Sequence, residues 1–550
     1  MDYIQPLEQF CQTVQKNKDS VYLNQPIAGQ LKTWTWTEVD QQARSVANAL
    51  IQMELGVGAR VGLLSKNCAE WIIADLAIMM AGMVSVPIYP SANRKTISYV
   101  LSDSGCKVIF IGRMDDFKEA DAGIASDVSR ILFPYPSELS NSDNERVLNW
   151  DELLKTEPLN ELPKQDPDDT MTITYTSGST GNPKGVVLSF NNFASAAQEA
   201  VNISSFTGND RVLSYLPLAH ITERGLVETT SYYAGVMLFF VDNLQTFVKD
   251  LKIANPSFFI SVPRLWNKFQ SGILSKMPDK KLQFLLKLPI INRIVAKKIR
   301  QGLGFDSART YGSGSAPISP AILHWFNRLG VSISEGWGMT ETTGLCCTNV
   351  PFSEKAIGTI GKPMKCVEMK LGENQEILIR GDAIFKEYYN NPVESAKSFT
   401  NGWFHTGDMG SVSEEGNYKI IGRVKEQFKS AKGKYVTPAP IESLLGRYTE
   451  IEQVCVFGAG RKQPIALVVM SPQTRERTEE THEQLLETLQ QTNEKLESHQ
   501  RLDHLIILKD EWSIENELLT PTLKIKRAAI EQRFEHYLHE KLTEKVLWES

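Results

Sequence analysis

Between Thr37 and Gly112 the sequence alternates between two hydrophobic periods. Residues 37–56 (TEVDQQARSVANALIQMELG) have apolar side chains at helical spacing and end in glycine, which is typical of a capped helix. The apolar runs ARVGLLS, MVSVPIYP and CKVIFIG then have the composition of buried strands, and the helical patterns AEWIIADLAIMMAG and KTISYVLSDSG separate them. The alternation predicts an α/β fold with helices on both faces of a parallel sheet. Such sheets bind ligands at the carboxyl ends of their strands.

The composition limits the classes of protein to which this chain can belong. Its 550 residues exceed one ordinary hydrophobic core, so we expect at least two domains. The net charge of −6 argues against general nucleic-acid binding. The seven cysteines form no CxxC pair and predict neither a disulfide framework nor a zinc site. We expect no signal peptide and no membrane span, which makes a cytoplasmic location the default prediction.

A loop rich in glycine and hydroxyl groups follows the run DTMTITYT, which has the pattern of a strand. In YTSGSTGNPKGVVLSFN (residues 175–191), the glycines allow successive backbone N–H groups to face one concavity. The hydroxyls and one lysine can satisfy the remaining oxygens of a polyphosphate. Because Lys184 precedes Gly185 rather than Ser or Thr, the loop lacks the Walker spacing and a P-loop kinase is disfavoured. A Ser/Gly-rich surface turn is the alternative interpretation.

Three further motifs contain candidate ligands of a nucleotide and its metal. In ARTYGSGSAPISPAIL, small residues at a predicted strand-to-helix turn would let a flat base lie against the backbone. In SISEGWGMTETTG, the hydroxyl of Thr340 beside the carboxylate of Glu341 suits a phosphate with its magnesium, although such a pair alone is also typical of a helix cap. His220 ends the predicted strand DRVLSYLPLAH, and a lone histidine there is usually structural.

In this order the motifs resemble those of the adenylate-forming enzymes, which include acyl-CoA synthetases, the adenylation domains of peptide synthetases and luciferases. The resemblance implies a ligase that binds ATP and Mg²⁺, transfers AMP to a carboxylate and then uses coenzyme A. It also implies a catalytic role for His220 beside the carboxylate pocket, and for Thr340, Glu341 and Lys524.

The same resemblance implies a set of cofactor contacts in this sequence. They are Thr176, Ser177, Gly178, Ser179, Thr180 and Lys184 at the phosphates, Gly314, Ser315 and Ala316 at the adenine, Trp337, Gly338, Met339 and Thr340 beside the α-phosphate, and Asp408 and Arg423 at the ribose. The implied magnesium ligands are Thr176 and Glu341.

The composition changes sharply in GRVKEQFKSAKGKYVTPAPIE (residues 422–442), and the resemblance places a hinge there with Lys425 at its pivot. We therefore expect an N-terminal AMP-binding domain over 1–422, made of helix-covered sheets and a small β unit. A small, mobile α+β C-terminal domain over 423–550 would carry the catalytic Lys524, in LLTPTLKIKRAAIEQRF. The sequence departs from the family's pattern at Ala439 and Pro440, and at Thr522 and Leu523 before the lysine.

The resemblance covers nearly the whole chain and implies activation of a long-chain fatty acid to acyl-CoA, in fatty acid metabolism. The chain length of the substrate rests on LPLAHITER, TPTLKIKR and an apolar middle region. The alternatives are a fatty acyl-AMP ligase that loads a carrier protein, and a ligase for a medium-chain or aromatic acid. A non-catalytic lipid-binding or scaffold protein would be expected to have lost Lys184, Glu341 or Lys524. Trp266 is either a gate to the acyl tunnel, as the resemblance implies, or part of the core.

Residues 268–300 carry nine Lys or Arg and one Asp among apolar residues. A basic, amphipathic stretch in an acidic protein can lie on an anionic membrane surface, although most such runs are solvated helix faces. From the family resemblance we predict a fatty acid as partner, and from the net charge we predict no nucleic acid. Peripheral contact of 268–300 with the inner membrane face and formation of a homodimer are both hypotheses.

Overall fold

A helix that is buried on all sides lies between two large sheets. In the computed structural model all 12 residues of Ala69–Met80 are buried, and the core cluster around them includes Leu63 from one sheet and Leu238 from the other. A helix that is largely apolar around its circumference has to be covered on every side, which explains why both sheets pack on it. The structure describes residues 3–135, 145–176, 182–448, 450–471, 474–520, 524–540 and 542–549.

Residues 3–176 have the predicted alternation of helices and strands. The elements are α1 (Pro6–Asn17), β1 (Val21–Ile27), β2 (Gln30–Thr35), α2 (Trp36–Gln52), β3 (Arg60–Leu64), α3 (Ala69–Met80), β4 (Val84–Ile88), α4 (Arg94–Ser104), β5 (Val108–Ile111), α5 (Phe117–Asp121), β6 (Ser129–Leu132), β7 (Val147–Asn149), α6 (Trp150–Leu153) and β8 (Thr170–Thr176). The strands β8, β4, β3, β5, β6 and β7 lie side by side in that order and are parallel. α2 begins at a capping box, in which Thr35 accepts from Glu38 N and the Glu38 carboxylate accepts from Thr35 N.

Residues 182–348 add their first strand to the first sheet and contribute most strands of a nine-stranded sheet on the other side of α3, whose edge strand Lys362–Pro363 follows later in the chain. The elements are β9 (Lys184–Ser189), α7 (Phe190–Ser204), β10 (Arg211–Ser214), α8 (Ile221–Glu223), a π-helix (Arg224–Thr229), α9 (Thr230–Ala234), β11 (Met237–Phe240), α10 (Phe247–Ala254), β12 (Phe258–Ser261), α11 (Pro263–Leu274), α12 (Asp279–Lys287), α13 (Ile291–Leu303), β13 (Thr310–Ser313), α14 (Pro320–Asn327), β14 (Ile333–Met339), a 3₁₀ turn (Thr340–Thr342) and β15 (Gly344–Thr348). The strands β14, β13, β12, β10, β11 and β1 are parallel neighbours. The strand predicted to reach His220 was wrong in extent. It ends at Ser214, because Pro217 has no N–H for a ladder and His220 instead begins α8.

The small β unit predicted before the domain boundary follows. Its elements are a 3₁₀ turn (Glu354–Ala356), β16 (Lys362–Pro363), β17 (Val367–Leu371), a 3₁₀ turn (Glu373–Gln375), β18 (Glu376–Gly381), β19 (Glu387–Tyr388), α15 (Pro392–Ser398), β20 (Phe399–Thr400), β21 (Trp403–Val412) and β22 (Tyr418–Arg423). β17, β18, β21 and β20 form one sheet in that order, and β22 also pairs with β21. β19 instead crosses to the eight-stranded sheet and pairs antiparallel with β9, the strand that leaves the glycine-rich loop.

The C-terminal domain is a four-stranded sheet covered by helices on both faces. Its elements are a 3₁₀ turn (Val424–Glu426), β23 (Phe428–Lys429), β24 (Tyr435–Val436), α16 (Pro438–Leu445), β25 (Ile451–Phe457), β26 (Ile465–Met470), α17 (Glu479–Glu494), β27 (Leu505–Leu508), α18 (Arg527–Arg533), α19 (His536–His539) and β28 (Val546–Trp548). Alternate residues of β26 face opposite sides. Val468 packs with α16 and α17 and Leu467 with α18. The unusual Ala439 and Pro440 fall in the first turn of α16. Backbone N–H groups there have no partner within the helix, so a proline costs no hydrogen bond.

The π-helix buries a charged cluster against α3. Nη2 of Arg224 donates to both carboxylate oxygens of Asp75, at 2.8 and 2.7 Å, and to Ser85 Oγ at 2.7 Å. Glu228 is buried as well, with its Oε2 3.8 Å from Arg224 Nε. Removing one partner from a buried ion pair leaves an uncompensated charge, so this cluster strongly restricts how the π-helix packs on α3 and β4.

Candidate active site

Two neighbouring parallel strands bring the predicted adenine and phosphate motifs together. Ser313, the last residue of β13, lies opposite Glu335 of β14. Residues 314–316 follow β13, and Thr340 and Glu341 follow β14 in a 3₁₀ turn. The carboxyl ends of parallel strands meet at one edge of a sheet. The two motifs therefore lie at the same edge of the sheet and border a candidate cleft there.

The end of β14 has little freedom to move. A Cβ on Gly338 would lie 1.6 Å from the carbonyl oxygen of Gly344 on β15, so only glycine fits there. The next residue, Met339, donates its N–H to Thr342 Oγ1 at 2.8 Å, which holds the 3₁₀ turn. Thr340 and Glu341 are therefore presented by backbone that is anchored on both sides.

The hairpin of β8 and β9 delivers the base of the predicted phosphate loop. Thr176, which ends β8, is paired across the hairpin with Lys184, which begins β9. The Lys184 ammonium forms an ion pair with Glu394 of α15 and lies 5.1 Å from the centroid of the Tyr388 ring. The predicted phosphate contacts Ser177, Gly178, Ser179 and Thr180 lie outside the described residues, so these four contacts stay predictions.

Glu341 is buried, and one hydrogen bond holds its side chain and another its backbone. The hydroxyl of Tyr388 donates to its Oε1 at 2.8 Å, and the backbone N–H of Phe385 donates to its carbonyl oxygen at 2.8 Å. Within the described part of the chain, neither Oε2 of Glu341 nor the Thr340 hydroxyl has a hydrogen-bond partner. One carboxylate oxygen and one hydroxyl are therefore free for a ligand in the cleft.

The donor atoms at this place fit magnesium. Among the residues that the structure describes, no group of three or more His, Cys, Asp or Glu could hold a metal by itself. Magnesium in nucleotide sites needs no such group, because it takes one or two carboxylates and completes its octahedron with phosphate oxygens and water. Glu341 could supply the carboxylate, and Thr176 adds a hydroxyl at the base of the loop.

Asp408 receives two donors in a buried position. Trp337 Nε1 donates to its Oδ2 at 2.9 Å, and Arg423 Nε lies 2.8 Å from its Oδ1. Asp408 and Arg423 are cross-strand neighbours on β21 and β22, which fixes this pairing. Burial raises the pKa of Asp408 and the guanidinium of Arg423 opposes that rise. Trp337, which the resemblance places beside the α-phosphate, thus also holds the ribose candidate.

A network missed by the sequence analysis shapes the turn before Asp408. Glu376 accepts from the N–H of Gly407 at 2.9 Å, and its other oxygen lies 2.9 Å from His405 Nδ1. Thr406 donates to the carbonyl of Ile377 at 2.7 Å and accepts from Asp408 N at 3.1 Å. These contacts orient the carboxylate of Asp408. No local sequence pattern indicates this role of Glu376.

Lys524, from the C-terminal domain, faces this cleft. Its ammonium lies within electrostatic range of Arg423, Asp408 and Glu341. Lys524 is exposed to solvent. The protein packed around its ammonium lowers its pKa, and so does the positive charge of Arg423. The negative charges of Asp408 and Glu341 raise its pKa. The catalytic lysine candidate therefore meets the candidate metal and ribose carboxylates in one place.

His220 lies at the same cleft in its neutral form. Its Nδ1 accepts from the backbone N–H of Thr222 at 3.1 Å, which caps α8 and leaves the proton on Nε2. Burial, and then the positive charge of Lys524, lower its pKa to about 3. The imidazole packs edge-on against Tyr89, with ring centroids 6.5 Å apart. Its Nε2–H is thus available as a neutral hydrogen-bond donor.

The predicted hinge follows directly after β22. Lys425 lies in the 3₁₀ turn Val424–Glu426 and is exposed. Gly422 has φ +151°, and a Cβ there would lie 2.2 Å from Thr437 Cγ2 at the start of α16. The two domains therefore meet closely at a residue that only glycine can occupy without strain.

Trp266 belongs to the second core cluster of the large domain. It is fully buried among aromatic rings that include Phe259, Phe305 and Phe326. Its Nε1 donates to the carbonyl of Gly312 at 3.3 Å. The structure favours the core interpretation over the gate.

Sequence reasoning also missed Tyr388 and Glu394. The Asn391-Pro392 pair marks a helix start, and the structure confirms Asn391 as its N-cap. That signal places Glu394 in a first helical turn. It gives no indication that Glu394 pairs with Lys184, because the two are 210 residues apart.

Two family models together match most of the chain. A model of the AMP-binding enzyme family matches residues 10–389, and a model of the AMP-binding enzyme C-terminal domain matches residues 425–544. The chain is 28% identical over 567 residues to the long-chain-fatty-acid–CoA ligase FadD15 of Mycobacterium bovis, over 94% of this chain and 93% of the relative. It is 27% identical over 567 residues to long-chain-fatty-acid–CoA ligase 1 of Homo sapiens, over 91% of this chain and 81% of the relative.

A solved structure confirms the fold class. The chain superimposes on the anthranilate CoA ligase AuaEII in complex with anthranoyl-AMP with a TM-score of 0.81, at 21% identity and over 98% of both chains. At this level of identity the similarity establishes the architecture, a large domain of sheets and helices followed by a smaller C-terminal domain.

The depressed pKa of His220 predicts a pH-dependent contribution to stability. The unfolded chain takes up a proton at the ordinary histidine pKa of 6.5, and the folded chain does so only near 3. The free energy of unfolding of the wild type, relative to His220→Asn, should therefore be highest above pH 6.5 and fall as the pH drops toward 3, by up to about 1.4 kcal/mol per pH unit. Asparagine can still cap α8. Urea unfolding of both proteins between pH 7.5 and 4.5 measures the difference, and a difference that is constant over this range would contradict the assignment.

Proposed function

The chain belongs to the AMP-binding enzyme family, and we propose that it converts a long-chain fatty acid to acyl-CoA through an acyl-adenylate. The observation that carries this proposal is the convergence of Lys524, Glu341 and Asp408 on one cleft, with a neutral His220 beside them. These groups match the needs of a reaction between two anions, the fatty carboxylate and the α-phosphate of ATP. The named long-chain ligases among the relatives support the choice of acid.

In the first step the carboxylate attacks the α-phosphorus and pyrophosphate leaves. Two anions approach each other only when their charge is neutralised and their atoms are aligned. Lys524 would bridge the carboxylate and the α-phosphate, and Thr340 would donate to the α-phosphate. His220, as a neutral donor, would orient the carboxylate through Nε2–H. Magnesium bound at Glu341 and Thr176 would supply further neutralisation of the phosphates.

The nucleoside would be held by groups that are already oriented. Asp408 has accepted only two donors, and an ionised carboxylate has about four acceptor positions, so two ribose hydroxyls can still bind it. Gly314, Ser315 and Ala316 would lie against the adenine. Lys184 and the loop residues Ser177, Gly178, Ser179 and Thr180 would contact the outer phosphates, with Trp337, Gly338 and Met339 shaping the cleft.

In the second step the thiolate of coenzyme A attacks the acyl carbon and AMP leaves. We propose that the C-terminal domain turns about Lys425 between the steps, with the domain boundary at 422/423. The close contact of Gly422 with Thr437 and the exposure of Lys425 support a pivot here. In the present arrangement Arg264 of α11 pairs with Glu452 of β25 at 2.9 Å. This pair is partly exposed, so breaking it during the rotation would cost little.

The acid that is activated and the acceptor of the acyl group are the two most specific parts of this proposal. The relatives named above are long-chain ligases, whereas the anthranilate ligase activates an aromatic acid on the same fold. The alternatives are therefore a medium-chain or aromatic acid, and a carrier protein in place of coenzyme A.

We also propose that α12 and α13 rest on an anionic membrane surface from which the fatty acid is collected. Phe284, Ile290 and Ile294 are 62%, 74% and 51% exposed. α12 and α13 also carry six exposed cations, which are Lys280, Lys281, Lys287, Arg293, Lys297 and Lys298. None of the six has an ion pair with a described residue. Exposed apolar side chains among unpaired cations match the chemistry of an anionic lipid interface. No described helix is long and apolar enough to cross a membrane.

The first prediction concerns the substrate. Release of AMP from ATP and Mg²⁺, measured with carboxylic acids from two to twenty carbons and with aromatic acids, should peak at long chains and require coenzyme A. A stoichiometric burst of pyrophosphate without turnover would point to a carrier protein as acceptor. A maximum with an aromatic or medium-chain acid would replace the long-chain substrate, and no release with any acid would contradict adenylation itself.

The second prediction separates the two steps. Lys524→Ala should lower the rate of acyl-adenylate formation by about 10²-fold or more, because one preorganised charge at the transition state is lost. It should leave thioester formation from supplied acyl-adenylate nearly unchanged. Lys526→Ala, two residues away, is the matched control and should affect neither step. Equal loss of both steps in Lys524→Ala would refute the assignment.

The third prediction concerns the membrane. Replacing Lys280, Lys281 and Lys287 together by Gln should weaken co-sedimentation with anionic vesicles about tenfold or more, since each basic residue near such a surface contributes about 1 kcal/mol. The control neutralises Lys95, Lys118 and Lys355 elsewhere on the surface. Equal binding of the two triple variants, or no binding of the wild type at low salt, would rule out this surface.

A further inference from the structure

We propose that Tyr388 is a positioning residue that orients the magnesium carboxylate of Glu341 and links it to the phosphate-loop cation Lys184. The inference rests on the proposed metal role of Glu341. Tyr388 makes both contacts with different parts of its side chain. Its hydroxyl donates to Glu341 Oε1 at 2.8 Å, and its ring lies under the Lys184 ammonium, 5.1 Å from the centroid.

Tyr388 is well suited to hold another group because it is itself fixed. It is 7% exposed and packs on the ring of Phe385, with centroids 4.8 Å apart. Its N–H donates to Ser395 Oγ at 2.9 Å. Its Cα is paired with Val186 on β9, in the register that also joins Glu387 to Val187. The ring and the hydroxyl therefore have one position available.

Lys184 is also held by an ion pair with Glu394. The N–H of Glu394 donates to the side chain of its N-cap, Asn391, at 3.2 Å, so the carboxylate stands in the rigid first turn of α15. The ion pair with Lys184 lowers the pKa of Glu394. The phosphate-loop cation and the metal carboxylate are thus attached to one short segment, residues 388–394, before any nucleotide is bound.

The hydroxyl of Tyr388 remains a donor throughout the physiological range. An ionised carboxylate can only accept, and the ordinary pKa of a tyrosine hydroxyl is about 10, so Tyr388 is the donor in this hydrogen bond. The hydrogen bond occupies Oε1 of Glu341 and leaves Oε2 without a hydrogen-bond partner among the described residues. A metal ligand that is fixed in this way binds with a defined direction, and loss of such an outer contact typically weakens metal binding 10–100-fold.

The test is the substitution Tyr388→Phe, which removes the hydroxyl and keeps the ring for Lys184. The matched control is Tyr389→Phe, the same change at the next residue of the chain, just after β19. Calorimetric titration of the full-length protein with ATP, without fatty acid, measures the dissociation constant in saturating Mg²⁺ and in EDTA. Tyr388→Phe should weaken binding about tenfold in Mg²⁺ and less than twofold in EDTA. Tyr389→Phe should match the wild type in both.

Two results would overturn this inference and leave the proposed function intact. In one, Tyr388→Phe and Tyr389→Phe bind ATP equally in Mg²⁺. In the other, Tyr388→Phe weakens binding equally with and without the metal, which indicates general damage to the site. The variant Glu341→Gln separates these from failure of the proposed function. If it keeps the full effect of Mg²⁺ on ATP affinity, the metal role of Glu341 is wrong and the inference is overturned with it.

Discussion

The buried ion pair between Arg224 and Asp75 is the interaction on which the arrangement of the large domain depends. The hydrophobic contacts around α3 are strong but non-directional, so they would allow several rotations of the helix between the sheets. A fully buried guanidinium has to meet its carboxylate, and this requirement selects one packing. The backbone N–H of Arg224 also donates to the carbonyl of His220 at 3.1 Å, which ties the position of His220 to that of Arg224. The position of the imidazole at the cleft follows from that of the ion pair.

Several charged side chains of the cleft are already paired with a side chain of opposite charge. Lys184 lies against Glu394, and Arg423 lies against Asp408. Lys524 reaches the same place from another domain and is influenced by Asp408 and Glu341. Dipoles and charges that are oriented before the substrates arrive need no reorganisation during the reaction, which is the main source of electrostatic catalysis. The cleft is therefore suited to a reaction between anions, the chemistry proposed for this member of the AMP-binding enzyme family.

Most of the fold was predictable, and the reasons differ from element to element. α2, α3 and the strands β3 to β5 follow from hydrophobic period, a local property that survives in almost any tertiary context. The strand leading to His220 was predicted too long, because an apolar run alone does not show where ladder pairing stops. Trp266 was ambiguous for a similar reason. A buried tryptophan in the core and one at a tunnel have the same sequence signature, and only the surrounding rings distinguish them.

The sequence by itself indicated the family, the order of the motifs and, through the family resemblance, the candidates Lys184, Glu341, Asp408 and Lys524, because motifs are local stretches of residues. Only the tertiary structure decided how they are held. Trp337 meets Asp408 across 71 residues, and Tyr388 meets Glu341 across 47. Both contacts depend on which strands become neighbours and in which register. That choice is made by packing of whole sheets around α3, so no local stretch of sequence contains it.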